Sequence, residues 1–514
     1  MNAQRLLTGF LTTGICTIVG CTHAASDGAD DGPSGARTDA SSTSVLRPAS
    51  DIAWTPCGTA GGECATIRVP IDWAHPEGET FELAIGRKLA LEPENRIGVL
   101  FLNPGGPGSS GIDAYITGQP SLDTSILRKR FDLVSWDPRG VARSHPVVCD
   151  ADLFGQYDFA FPTTERAYRE RIAFNAKLGE NCRAHTGPLF DHVDTLSTVR
   201  DMDAIRNALG EEKLNYLGIS YGTLIGQQYA EEFPARIRAM AIESNMDHSV
   251  TSTFRYLQMY TEDLEKSFLA FVDWCGRTPT CKLHGRDVAA IWDQLYEKAT
   301  AGTLIDPKTG GALELAWLRF NLQVAIIAPS RWPGLAERIA SLESGVPLSA
   351  SARGMADERL LEAGYQPILC QDWKFEMRSF QEFDAYRRIL EAMYPHTRMT
   401  IFWTQILDCL GFPVKVNNPQ HRLSAPDAPP TLVVTSRYDP LAPHDGGVAV
   451  HRQLKGSVLL QDDNFGHIPS VRSLCARQTI ETYLTTRVMP PKDAHCPAEF
   501  PEEAPPSMRE APPP

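Results

Sequence analysis

The stretch that most constrains this chain is Gly218-Ile219-Ser220-Tyr221-Gly222, because of what stands on either side of it. Leu214-Asn215-Tyr216-Leu217 precedes it as a short strand-like run. Leu224 to Ala230 follows as a helical run that stops near Pro234. Strand, sharp turn and helix in that order hold the middle serine in a strained backbone conformation, and only residues without a side chain fit beside it. Gly218 and Gly222 then serve packing. Ser220 projects its hydroxyl at the start of a helix whose positive end favours developing negative charge. The plain alternative is an ordinary Gly/Ser turn, and the flanks argue against it.

Upstream, Ile97 to Leu102 is a continuous apolar run suited to a strand buried on both faces. It leads into Asn103-Pro104-Gly105-Gly106-Pro107-Gly108-Ser109-Ser110-Gly111, where four glycines and two prolines let the backbone approach a ligand closely. Such a loop, placed before a raised serine, supplies one N–H for a developing oxyanion; the amide of Tyr221, directly after the serine, supplies the other. A phosphate cradle is disfavoured, since the stretch lacks the Gly-Lys-Ser/Thr ending and the dinucleotide glycine spacing. Phe131 to Asp137 reads as a further strand, and Asp137 and Arg139 as residues that fix the turn after it. Val199, Met202, Ile205 and Leu209 recur at helical spacing before Gly210, and Arg238 to Glu243 is the next strand. Strands alternating with helices argue for a mostly parallel sheet flanked by helices.

Between about residues 249 and 425 the alternation fades into helical, aromatic-rich segments, read as an inserted, mainly helical cap rather than as further sheet-flanking helices. The sheet pattern returns at Thr431 to Ser436, followed by Asp439, and at Ser457 to Gln461, followed by His467. The order Ser220, Asp439, His467 places an acid and a base after late strands, the arrangement in which a histidine takes the serine proton while the carboxylate orients the ring. Asp445, Asp462 and Asp463 are rival acids, and His444 and His451 rival bases, but none sits just past a strand end in the required order.

The Asn103 to Gly111 loop, Trp136-Asp137-Pro138-Arg139-Gly140, Gly218 to Thr223, Tyr438-Asp439-Pro440 and Gly466-His467 lie in the order of one family. In these motifs, over about residues 51 to 490, the chain resembles tripeptidyl-aminopeptidase-like serine exopeptidases. These are relatives of prolyl aminopeptidases and of actinobacterial exported lipoprotein proteases. The resemblance implies an α/β-hydrolase fold, Ser220 as nucleophile, Asp439 and His467 as its partners, Gly106 and Tyr221 as oxyanion donors, and no cofactor. Two stretches depart from the family pattern: Glu243-Ser244-Asn245 replaces an Asp-Gly pair, and Phe412-Pro413 stands where Trp-Pro is common. An exopeptidase must also read a free α-amine, usually with carboxylates. Glu243, at a strand end, and Asp372, in the cap beside Cys370, are the candidates. The alternative for each is a paired carboxylate that fixes the cap.

The ends of the chain bear on where it works. Arg5 followed by the apolar stretch Leu6 to Gly20 is too short for a comfortable membrane span and reads as a signal segment, 1–21. Ile18-Val19-Gly20-Cys21 resembles a bacterial lipobox, which would make Cys21 a lipid anchor. The alternative is an ordinary secretory peptide cut near Ala24 or Ala25. Residues 22–50 are too polar to fold and read as a tether. The expected organisation continues with 51–248 as the first part of the core, 249–425 as the cap, 426–490 as the core's C-terminal part and 491–514 as a Pro-rich tail. Ten further cysteines suit an oxidising location and fall into neighbouring pairs: Cys57 with Cys64, Cys149 with Cys182, Cys275 with Cys281, Cys370 with Cys409, and Cys475 with Cys496. Sequence alone leaves their connectivity open, and five sequential disulfides is the expectation. None shows C-x-x-C spacing, so no metal is expected. A formal charge of −14 argues against nucleic acid and against attraction to anionic lipid, so any membrane contact is through the anchor alone. The expected substrate is a peptide, or a small-molecule ester or amide worked by the same machinery; a non-catalytic binding protein on this scaffold would show an incomplete triad.

Overall fold

The computed structural model describes residues 52–500 apart from 59–60, 119–124, 158–159 and 347–359. The signal segment, Cys21, the tether and the last fourteen residues lie outside the described residues. Twelve strands are present among the described residues: β1 (Thr55–Pro56), β2 (Gly62–Pro70), β3 (Thr80–Lys88), β4 (Gly98–Asn103), β5 (Phe131–Trp136), β6 (Val148–Asp150), β7 (Leu214–Ile219), β8 (Ile237–Glu243), β9 (Leu360–Glu362), β10 (Thr431–Tyr438), β11 (Val458–Phe465) and β12 (Ala494–Cys496). Ten of them form one sheet in the order β1-β2-β3-β5-β4-β7-β8-β10-β11-β12. From β5 to β12 every neighbouring pair is parallel, whereas β1, β2 and β3 run antiparallel at one edge.

The apolar runs fall where parallel pairing needs them. β4 and β7 are buried at every position, as strands covered by helices on both faces must be. The crossover helix Thr195–Ala208 starts where the side chain of Asp194 accepts from the Ser197 N–H. The Gly222–Glu232 helix carries the chain from β7 to β8. The turn after β5 is fixed as expected. Asp137 accepts from the Ile112 N–H (3.2 Å) and the Arg143 N–H (3.1 Å), and Arg139 lies wholly buried in a two-pronged pair with Asp201 (2.6 and 2.7 Å).

The described residues between 253 and 409 are mainly helical, and their helices divide between two cores. The helices Thr253–Arg277, Val288–Thr300, Leu315–Ile326 and Trp332–Ser344 enclose an aromatic core of their own around Phe268, Phe271, Trp274, Trp292 and Trp332. The later helices Tyr365–Asp372, Phe380–Met393 and Phe402–Cys409 share the main core under the sheet, through Trp373, Phe383, Phe402 and Trp403. Short β9, from the same stretch, pairs with β6. At the C-terminus the sheet runs past residue 490, because β12 adds to the edge of β11. The Pro-rich tail therefore begins later than its composition suggests.

All five neighbouring cysteine pairs are bonded, and each ties down a different part of the fold. Cys57 bonds Cys64 and closes the turn between β1 and β2. Cys149, in β6, bonds Cys182 of the Glu165–Thr186 helix. Cys275 bonds Cys281 just past the end of the Thr253–Arg277 helix. Cys370 bonds Cys409, joining the Tyr365–Asp372 and Phe402–Cys409 helices, and Cys475 bonds Cys496, securing β12. Among the described residues no helix is long and apolar enough to cross a membrane.

Candidate active site

Ser220, Asp439 and His467 each follow the C-terminal end of a parallel strand: Ser220 directly after β7, Asp439 directly after β10 and His467 two residues beyond β11. Because β7, β8, β10 and β11 are consecutive in the sheet, these ends open onto one edge. The fold thus gathers three residues spread over about half the chain.

Ser220 occupies the left-handed region (φ 56°), and the glycines beside it are obligatory. A Cβ on Gly218 would lie 2.5 Å from the Gly222 carbonyl oxygen, and one on Gly222 would lie 2.7 Å from the Asn103 oxygens. The Ser220 N–H donates to the Glu243 carbonyl (3.0 Å), and its own carbonyl accepts from the Thr223 N–H (2.9 Å). These bonds leave the hydroxyl without a partner among the described residues.

His467 donates through Nδ1 to Asp439, 2.8 Å from Oδ2 and 3.0 Å from Oδ1. That partner leaves Nε2 as the free ring nitrogen. Asp439 also accepts the N–H groups of Leu441 (2.9 Å) and Ala442 (3.0 Å), so its carboxylate is held on two sides and excluded from water. The rivals are engaged elsewhere. Asp445 pairs with Arg255, Asp463 with His495 and His451 with Ser457, while Asp462 accepts from Asn464. His444 turns its ring to the Ser436 carbonyl.

The glycine-rich loop passes directly over the serine. A Cβ on Gly105 would lie 2.8 Å from the Tyr221 nitrogen and 3.1 Å from the Ser220 Cβ, so only glycine permits this approach. Asn103 shapes the loop by accepting the Gly105 N–H on its side-chain oxygen (2.9 Å). The N–H groups of Gly106 and Tyr221 have no acceptor among the described residues, as donors kept for an oxyanion require.

Neither expected amine-reading carboxylate is open to a ligand. Glu243 is fully buried and accepts from the Ser470 N–H (2.8 Å) and hydroxyl, and burial raises its pKa. Asp372 is equally buried. It accepts from the Thr195 N–H (2.9 Å) and hydroxyl (2.6 Å), the Asn418 amide (2.6 Å) and the Tyr221 hydroxyl. Burial, reinforced by nearby Asp194, pushes the Asp372 pKa up to about 7. Both carboxylates fix loops around the site: Glu243 holds the segment after His467, and Asp372 ties the Tyr365–Asp372 helix to the residue after the serine.

Sequence reasoning missed two sets of contacts at this edge. The Ile327 carbonyl, from the helical insertion, accepts the His467 N–H (3.0 Å). Nearby, Gln323 donates to the Pro440 carbonyl (3.2 Å) and accepts from Thr400 and the Ile401 N–H. The insertion therefore touches the loops of both Asp439 and His467. The second is Ser244, at the end of β8, whose hydroxyl donates to Asp439 (2.7 Å). Its only signal in the sequence is the departure from the family pattern after that strand.

A hydroxyl raised at a helix start, on the same strand edge as a buried Asp–His pair, has the parts for acyl transfer through serine. Fold and site together define a serine hydrolase. The chain belongs to the α/β-hydrolase family, whose model, described as "alpha/beta hydrolase fold", matches residues 98–472. It is 30% identical over 486 residues to the serine protease Hip1 of Mycobacterium tuberculosis, covering 87% of this chain and 91% of that one. It is 30% identical over 454 residues to the tripeptidyl aminopeptidase of Streptomyces lividans (84% and 83% covered). It is also 30% identical over 466 residues to carboxylesterase B of M. tuberculosis (84% and 86% covered).

Proposed function

We propose that this protein is an exported serine aminopeptidase that releases short N-terminal peptides through Ser220, His467 and Asp439. The observation that carries the reading is the placement of these residues after neighbouring parallel strands, with His467 Nδ1 bonded to Asp439 and Nε2 left free. In this mechanism Ser220 Oγ attacks the acyl carbon and its proton passes to His467 Nε2. The oxyanion lies against the amides of Gly106 and Tyr221; removal of one such donor typically costs about 10²–10³ in kcat. His467 then protonates the leaving amine, and a water deprotonated by the same nitrogen hydrolyses the acyl-enzyme. Asp439 holds the ring and balances the imidazolium.

Export rests on the signal-like segment ending at Cys21 and is supported by five disulfides, which persist in oxidising compartments. A second reading, hydrolysis of a non-peptide ester or amide, is favoured by two observations. Glu243 and Asp372 are closed to a substrate amine, and a carboxylesterase stands among the relatives at the same identity as the peptidases. Fluorophosphonate labelling of the wild type and of Ser220→Ala tests the nucleophile: labelling that persists in the variant refutes it. A panel of tripeptidyl, dipeptidyl, aminoacyl and simple ester substrates separates the two readings, and turnover of esters alone would overturn the first.

A further inference from the structure

Glu243 and Ser244, at the end of β8, reach the loops of Ser220, Asp439 and His467. The Glu243 carbonyl accepts the Ser220 N–H (3.0 Å), and the Glu243 carboxylate accepts the Ser470 N–H (2.8 Å). Between these contacts lies Ser244, fully buried, with its backbone in the left-handed region at φ 57°. Its N–H donates to the Val434 carbonyl of β10 (3.2 Å), which anchors the residue to the sheet. Its hydroxyl donates to Asp439 Oδ2 (2.7 Å) and accepts the N–H of Ile468 (2.9 Å), the residue directly after His467.

We propose that Ser244 is a positioning residue for the Asp439–His467 pair, one hydroxyl gripping both loops. The proposal rests on the serine-hydrolase reading above. The two backbone donors to Asp439, from Leu441 and Ala442, both reach Oδ1. Oδ2, the oxygen nearer His467, has Ser244 as its second donor. Without that bond Oδ2 is held by the imidazole alone, and the carboxylate plane is freer to turn about its anchored Oδ1. The Ile468 N–H loses its acceptor in the same step. Ile468 also sits in the left-handed region (φ 64°), so the chain leaving His467 is held in its turn partly by this bond. Ser244 touches no reacting atom and acts through its two neighbours. A glycine at this position would satisfy the backbone angle without supplying the hydroxyl.

That difference gives the test. Ser244→Ala removes only the hydroxyl oxygen and keeps the strained Cβ, whereas Ser244→Gly removes the whole hydroxymethyl group and relieves the left-handed backbone. The readout is the rate of Ser220 phosphonylation by a fluorophosphonate on the full chain, separated into its maximal rate and the probe's half-saturating concentration. Expected for Ser244→Gly is a maximal rate lowered by roughly tenfold to a hundredfold, the range for losing a hydrogen bond to a charged group. Half-saturation should stay within about twofold, because a residue that acts only on the chemical step leaves probe binding alone. Both variants lose the same two hydrogen bonds, but glycine relieves the backbone angle, so Ser244→Gly should melt higher than Ser244→Ala while the two label at a similarly lowered maximal rate. The downfield proton resonance of His467 Nδ1 should shift or broaden. A maximal rate equal to wild type overturns the proposal, as does a loss confined to half-saturation or one that tracks a fall in melting temperature. If the wild type itself is not labelled at Ser220, the serine-hydrolase reading fails instead, so the two failures are distinguishable.

Discussion

Replacing Gly466 with alanine probes whether the helical insertion holds His467 in place. A Cβ at Gly466 would lie 2.0 Å from the Ile327 carbonyl oxygen, 2.7 Å from its carbon and 3.3 Å from the Ala328 nitrogen. Both sides of this contact are backbone, so no side chain can swing away. Ordinary van der Waals contact begins near 3.4 Å, and the gap must open by more than 1 Å. Gly466 also has φ 102°, outside the range an alanine adopts readily. Backbone strain of that kind costs ~1–3 kcal/mol, and overpacking of a closed site costs a further ~1–3 kcal/mol. If the structure relaxes instead, the bond from the His467 N–H to Ile327 (3.0 Å) is broken and the ring moves with its backbone. Displacement of a catalytic group by about 1 Å can lower activity by about 10²-fold. Gly302→Ala is the control, because Gly302 has φ 68° and nothing within 4 Å of its would-be Cβ, so it reports the backbone cost alone. Thermal unfolding and the rate of fluorophosphonate labelling should both fall more in Gly466→Ala than in Gly302→Ala. Equal melting temperatures and labelling rates in the two variants would refute the reasoning.

Two further outcomes follow from buried charge. Burial pushes the Asp462 pKa up to about 7 from the ordinary 3.8, and its Oδ2 has no partner among the described residues. The folded state therefore keeps a proton that the unfolded state gives up between about pH 4 and 7, and stability contributed by this group falls as pH rises through that window. Asp462→Asn should gain melting temperature relative to wild type at pH 8 but not at pH 4; a gain independent of pH would show that ionisation is not the cause. Arg139→Met should destabilise by ~3–5 kcal/mol by leaving Asp201 buried without its cation, and Arg139→Met/Asp201→Leu should recover much of that loss. Denaturant midpoints for the three proteins would check this, and a double variant no better than the single one would exclude uncompensated charge as the cause.

The strands that carry the site were legible because their surroundings are uniform. β4, β5, β7, β8 and β10 are buried over most of their length and so carry mostly apolar runs, which are visible without knowing what covers them. β2 is hard to read because it is an antiparallel strand next to the sheet edge, carrying Glu63 and Arg68 on partly exposed faces. The helix Glu165–Thr186 was missed for a different reason. It buries Arg171 and Asn175 through polar bonds to the Phe402–Cys409 helix, and so shows no clean apolar stripe. Ser220, Asp439 and His467 could be read from their places after strand ends. Ser244 could not, since its bond to Asp439 spans 195 residues and involves a hydroxyl that any turn could contain. Glu243 and Asp372 misled because position along a sequence reveals a carboxylate near a site without revealing the N–H and hydroxyl donors that close over it.

The pairing of the ten bonded cysteines bears on how the chain matures. Each bond joins a cysteine to the next one along the chain, over separations of 7, 33, 6, 39 and 21 residues. As a polypeptide emerges amino end first, each thiol meets its proper mate before the next pair is made. An oxidant that simply joins consecutive thiols therefore reaches the native set with no bond to undo. Among these ten cysteines, oxidation in chain order leaves no non-native bond to be rearranged.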